Sequence, residues 1–259
     1  AIHVHGTLVP YTFHPILVEL TEEEQHEYVE LSGRISRAYA QGNGDSWYEF
    51  ENAREALLRK RANILKHATN KITQVRDVIE GLELKKYLLV YAAEGLSPLT
   101  EQRQDTQLVE LLRGFGLDTE MYDGDTPDNT RKDLEERLDE GRLHALVAMR
   151  CLDQGIDIPE ARTALFVAST TNPRQYVQRR GRILRRPKRS SSNKDRADLY
   201  DFIVVPPEPT PETFEIEKRL VAREVLRART LAYSASNRLS ALEALLPVIA
   251  AYHLEDQPL

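Results

Sequence analysis

Cysteine is nearly absent from this sequence. Cys151 stands alone, which excludes an internal disulfide and suits a reducing compartment. Long apolar runs are missing too, since nothing approaches the ~18 uninterrupted apolar residues of a spanning helix. Excess positive charge is a third absence. The chain has 35 Lys and Arg against 41 Asp and Glu, a formal net charge of −6. That balance excludes a protein that coats a polyanion with its whole surface, so any such contact has to come from a local patch. What remains is ordinary globular material: 259 residues, 41% hydrophobic and 29% charged, enough for one large domain or two small ones. The chain opens AIHVHG, without a methionine or a cleavable leader pattern. The expectation is a soluble cytoplasmic piece, with no membrane partner, cut from something longer.

The texture changes along the chain. Residues 1–20 alternate apolar and polar, with Pro10 and Pro15 limiting any strand to short or edge pieces. Thr21 to Glu24 is a capping box ahead of a helical pattern of Tyr28, Leu31, Ile35 and Ala38. GNGD (42–45) breaks it, and two more helices are expected up to Gly81. From Lys86 onward, short apolar runs alternate with helical patterns. KYLLVYAA, LHALVAM and TALFVAS read as strands buried on both faces, with DTEMYDG and ADLYDFIVVP as further strands. Strand and helix at short intervals predict an α/β fold with a parallel sheet of five or six strands, covered on both faces. PPEPTP (206–211) is a joint before a helical end. The expected division is a linker and helical segment over 1–82, a core over 83–207 and a helical extension over 208–259.

QRRGRILRR (178–186) concentrates five arginines in this acidic chain. It follows the strand TALFVAS, and Asn172-Pro173 supplies a helix start, cap then proline. Gln178, Arg182 and Arg185 fall at i, i+4 and i+7, within about 60° of one another on a helix. Val177, Gly181 and Leu184 share that spacing one residue earlier. One stripe can therefore pack on the sheet, with Gly181 allowing close approach, while the next projects two guanidiniums and an amide into a cleft. Arginine forks match phosphate oxygens and stay charged when desolvated. A phosphate-rich ligand is the expected target, beyond the strand ends where α/β folds hold ligands. CLDQGIDIP (151–159) offers Asp157 in a turn through Gly155, a carboxylate suited to ribose hydroxyls or to a structural turn.

These residues carry a resemblance. Q-x-x-G-R-x-x-R, met by Gln178, Gly181, Arg182 and Arg185, resembles motif VI of superfamily 2 helicases and translocases. CLDQGIDIP resembles motif V of that family and KYLLVYAA its motif IV strand, over about 85–205. GRILRRPKR is similar to the XPB-type and type III restriction-subunit branch, and residues 10–80 to the helical linker between its two motor domains. The resemblance implies a RecA-like three-layer domain, the second of two that close on ATP with Mg2+. It implies that Arg182 and Arg185 act as catalytic arginine fingers on the γ-phosphate. It also implies that Gly155, Asp157 and Gln178 serve the nucleotide, and that Met149, Arg150 and Arg179 meet nucleic acid. Met149 stands where many members carry a phosphate-contacting hydroxyl, and Arg150 offers a charge beside it. Double-stranded DNA is the implied substrate, with RNA open, and the first RecA-like domain is the implied partner.

G-x-x-x-x-G-K-[ST] occurs nowhere in the sequence, and LDEG (138–141) closes a charged helix rather than an apolar strand. The first motor domain would supply both motifs, so this chain alone is expected to be inactive. The alternative is a non-catalytic nucleic-acid-binding or regulatory module that kept the fold; an unrelated Rossmann-type enzyme lacks its glycine fingerprint. No metal site is expected. His3, His5 and His14 lack a neighbouring cysteine cluster, Asp123 and Asp125 suit a turn, and GFG (114–116) is a helix stop. Lys188, Arg189, Lys194 and Arg196 are expected either on a phosphate backbone or in a solvated loop. REVLRART (223–230) is expected to pack against the sheet or the linker.

Overall fold

The computed structural model describes residues 8–40, 47–149, 158–168, 180–187 and 192–256. Arg150, Gly155, Asp157, Gln178 and Arg179 lie outside these residues, as do His3, His5, Lys188, Arg189 and the expected Asn172 cap. Within them, six strands form one sheet: β1 (Tyr11–Glu19), β2 (Leu88–Tyr91), β3 (Thr119–Tyr122), β4 (Ala145–Ala148), β5 (Thr163–Phe166) and β6 (Ala197–Val205). Their order is β1-β6-β5-β2-β4-β3, with every pairing parallel. LLVY, ALVA and TALF are buried along their whole length, as a sheet covered on both faces requires.

Besides a helical stretch at 180–183, the helices among the described residues are α1 (Glu22–Ala40), α2 (Trp47–Lys66), α3 (Asn70–Gly81), α4 (Gln104–Gly114), α5 (Asp128–Asp139), α6 (Phe214–Ser234), α7 (Arg238–Glu243) and α8 (Leu246–Ala251). One face of the sheet packs Leu89, Tyr91, Phe166 and Leu199 against Leu138 of α5, Val221 and Val225 of α6 and Val248 of α8. The other packs Leu88, Val90 and Leu165 against Val75 and Ile79 of α3 and Leu108 and Leu112 of α4. This is the three-layer α/β architecture expected from the strand and helix alternation.

β1 is longer than its prolines suggest, and the open edge explains it. Phe13 N–H donates to Asn237 Oδ1 (2.8 Å) and Asn237 Nδ2 donates to Phe13 O (2.9 Å), while Ser236 N–H donates to Tyr11 O (2.8 Å). The outward groups of β1 are those of alternate residues, and Pro15 shares that alternation. Its missing N–H therefore costs no bond to β6. Residues 236 and 237 cover the edge that β6 leaves open.

Helices α1 and α2 pack on each other and reach the sheet layers through polar contacts. Thr21 N–H donates to Glu24 Oε2 (3.0 Å) and Glu24 N–H to Thr21 Oγ1 (3.3 Å), the capping box read in the sequence. The second oxygen of Glu24 accepts from the N–H and Oγ1 of Thr69, both at 2.8 Å, just before α3. One carboxylate thus fixes the starts of two helices. Deeper in, Glu217 of α6 accepts from Tyr28 and Ser32 of α1 and from Arg61 of α2, with Ser32 Oγ at 2.7 Å and Arg61 at 2.9 Å. Arg61 is 3% exposed and Glu217 1%, so the pair sits in the interior and joins the helical segment to the C-terminal extension.

Candidate functional site

After β5 the chain leaves the sheet at the C-terminal ends of the strands. By residue 184 it has returned to the opposite edge. Val9 N–H donates to Leu184 O (2.8 Å), and Leu8 and Arg185 form an antiparallel bridge just ahead of β1. From sequence, the arginines are expected beyond the C-terminal strand ends. The described ones stand instead at the N-terminal edge, because a crossover between parallel strands has to run back along the sheet.

The end of this segment is helical over residues 180–183. Ile183 and Leu184 are buried in the same apolar layer as α5 and α6; of the expected packing stripe Leu184 is buried, Gly181 is half-buried, and Val177 lies outside the described residues. Arg182 is half-buried, and Arg185 and Arg186 are exposed. Arg182 and Arg185 are brought together on one turn, with Arg185 N–H donating to Arg182 O (3.3 Å). Among the described residues a Cβ at Gly181 would meet nothing within 4 Å beyond its own helix, so the close approach expected there is not seen. Arg180 lies beside the Tyr11 hydroxyl, where its charge opposes the upward push of burial on that group.

Lys194 departs most from its sequence reading. It is neither solvated nor placed on the surface, being 8% exposed. Its Nζ donates to Pro159 O (2.7 Å), Ile183 O (2.7 Å) and Arg185 O (2.9 Å). Around it, Ser192 Oγ donates to Glu160 Oε2 (3.0 Å), and Arg162 pairs with that oxygen at 3.5 Å and donates to Asn193 Oδ1 at 2.6 Å. Arg162 also lies over the Tyr87 ring at 5.0 Å. Sequence reasoning missed this cluster, because KRSSSNKD has the composition of a solvated loop.

Met149 occupies the other edge, directly after β4. Arg103 reaches its Sδ at 3.7 Å and holds Asp105 with two donors, Nε at 3.1 Å and a terminal nitrogen at 2.6 Å. The fold therefore keeps Met149 and Arg185 on opposite edges of the sheet. The loop after β2 is tied on the same edge as Met149. Gln104 Oε1 accepts from Ala93 N–H (2.8 Å), Lys66 Nζ donates to Glu94 O (2.9 Å), and His67 lies 3.1 Å from that carbonyl. Burial, assisted by the Lys66 charge, holds the His67 imidazole down at about 4.

The remaining candidates resolve as packing or turns. His14 stacks on Tyr200 with ring centroids 4.6 Å apart, and burial lowers its pKa. Asp123 Oδ1 accepts from Thr126 Oγ1 (2.7 Å) and Asp125 N–H (3.1 Å), closing the expected turn. α4 ends at Gly114, and Gly116 adopts φ 75°, the stop expected of GFG. Among the described residues no group of three or more His, Cys, Asp and Glu could hold a metal ion. Among them, too, no helix is long and apolar enough to cross a membrane.

Comparison with known proteins identifies one segment of the chain. Residues 84–187 match the helicase conserved C-terminal domain. Over these residues the chain carries a helicase conserved C-terminal domain. The chain is similar to the DNA 3'-5' translocase XPB2 of Sulfurisphaera tokodaii, 26% identical over 194 residues, covering 69% of this chain and 41% of that protein. A second relative is the putative DNA 3'-5' helicase Rad25 of Halobacterium salinarum, 36% identical over 96 residues, covering 34% of this chain and 16% of the other. The chain thus spans less than half the length of these relatives. Among solved structures, the yeast DEAD-box splicing factor Prp28 superposes with a TM-score of 0.52 at 10% identity, covering 98% of this chain and 39% of that one. At that identity the likeness speaks for the fold alone.

Proposed function

We propose that this helicase domain is the second motor domain of an ATP-dependent translocase or helicase that acts on double-stranded DNA. In this reading residues 83–207 form the motor core, the linker segment 1–82 adds β1 to its sheet, and the extension 208–259 covers one face of that sheet. A first RecA-like domain binds ATP with Mg2+, and Arg182 and Arg185 reach the γ-phosphate from across the cleft. Gln178, Gly155 and Asp157 serve the nucleotide side, and Met149, Arg150 and Arg179 the nucleic acid. The observation that carries the reading is the family match over 84–187 together with an arginine turn whose apolar side is buried and whose Arg185 is exposed. A segment held that way presents cations at a sheet edge without losing its footing. Guanidiniums suit this task because they pair with phosphate oxygens and remain charged in a closing, water-poor cleft. DNA is favoured because the XPB2 and Rad25 relatives are named for action on DNA.

Two outcomes test the division of labour. The isolated 259-residue chain shows no ATP turnover above background in a coupled ATPase assay, with or without DNA, since it has no phosphate-cradling G-x-x-x-x-G-K-[ST] loop. Robust turnover would place a complete site within this chain. In fluorescence anisotropy, its affinity for duplex DNA falls about 10-fold or more between 50 and 200 mM salt, as phosphate contacts release counterions. An affinity indifferent to salt would point to a surface other than the arginines.

A further inference from the structure

We propose that Lys194 is a positioning residue for the arginine pair, its ammonium tying the end of the arginine segment to the loop that enters β5. The proposal rests on the reading of Arg182 and Arg185 as fingers. The geometry is a three-way tether. A lysine ammonium has three N–H donors, and here three carbonyls accept them, those of Pro159, Ile183 and Arg185 at 2.7, 2.7 and 2.9 Å. Two of the three belong to the last turn of the arginine segment, where a helix leaves carbonyls without partners and favours a cation. The third belongs to the loop ahead of β5. Lys194 therefore joins the CLDQGIDIP stretch to the arginine stretch, and β6 begins three residues later at Ala197.

The choice of residue is informative because a buried cation is costly to keep. An apolar side chain could fill the same space, but it would remove the donor from all three carbonyls and with it the tie between the arginine turn and the loop ahead of β5. Burial pushes the Lys194 amine down to about 8. Glu160 and Asp139 oppose that shift and Arg162 adds to it. Above that pH the neutral amine retains two hydrogens, so one carbonyl loses its donor and the tether loosens.

The test is made in the full-length protein, with DNA-stimulated ATPase measured across pH 6.5–9.5. Wild-type kcat has an alkaline limb near pH 8. Lys194→Met lowers kcat about 100-fold, the scale of a misplaced catalytic group. It leaves KM for ATP and the affinity for DNA within about twofold and erases the alkaline limb, because fingers acting on the transition state appear in kcat. Combined with the double variant Arg182→Ala/Arg185→Ala, it causes no further loss. A Lys194→Met protein with wild-type kcat overturns the proposal, as does one whose loss multiplies with that of the double variant. Should Lys194→Met fail to fold, Glu160→Gln keeps the lysine but removes the carboxylate that supports its charge, so the limb moves to lower pH. A limb that stays in place also overturns the proposal. An Arg185→Ala protein with normal turnover marks failure of the finger reading itself, whereas an inactive Arg185→Ala beside an active Lys194→Met marks failure of the tether alone.

Discussion

Arg185→Ala in the full-length protein lowers DNA-stimulated ATP turnover by about 10³-fold or more, the range seen when arginine fingers are removed from other phosphoryl-transfer sites. Stability should change little, because Arg185 is exposed while Ile183 and Leu184 of its turn are buried and its carbonyl accepts from Lys194. Arg182→Ala should lose activity on a comparable scale but also some stability, since its side chain is half-buried. The separation of the two effects carries the diagnostic weight. A structural arginine lowers the melting temperature along with the rate, while a finger lowers the rate with the melting temperature intact. Turnover within a few-fold of wild type for Arg185→Ala would remove it from the active site.

The second large effect is on stability and lies far from the arginines. Arg61→Met or Glu217→Ala leaves one charge of a buried pair without its partner, which costs about 3–5 kcal/mol. For a chain of this size that is a fall in melting temperature on the order of 10 °C. The exposed pairs are a useful contrast. Arg142 and Glu140 meet at 2.7 Å, yet their side chains are 57% and 41% exposed, and breaking such a pair changes stability by about 0–1 kcal/mol. Solvent decides the difference: Arg61 and Glu217 have side-chain exposures of 4% and 2%, so neither is rehydrated when the other is removed. Replacing both together by methionine, with Tyr28→Phe and Ser32→Ala, should recover most of the loss, because no polar group of the network is then stranded. Thermal unfolding of the 259-residue chain measures all of these. An Arg61→Met protein that melts within 2 °C of wild type would show that the buried network contributes little.

Much of this architecture is legible in the sequence because the responsible forces are local. LLVY and ALVA are continuous apolar runs, and only a strand covered on both faces uses such a run at that length. Thr21 and Glu24 carry their hydrogen bonds within four residues, so the start of α1 can be read directly. The burial of Leu184 follows from helical spacing. Long-range partners are hidden for the opposite reason. Lys194 reads as one cation in a polar loop until the carbonyls of residues 159, 183 and 185 are placed around it. Glu217 reads as one of several charges on an amphipathic helix, and its partners are over 150 residues away. β1 pairs with a strand nearly 190 residues later, and the cover on its open edge comes from Asn237. The edge taken by the arginines is also illegible, because it depends on where the crossover ends rather than on what it contains.

The central claim is that two guanidiniums bind the charge that develops on a phosphate held by a neighbouring domain. Binding of ADP with aluminium fluoride, a mimic of the transferring phosphoryl group, isolates that step from every later one. In the full-length protein with DNA, Arg185→Ala should bind ADP as wild type does and lose most of its affinity for the ADP–aluminium fluoride complex. Equal affinity of both proteins for that complex would contradict the account.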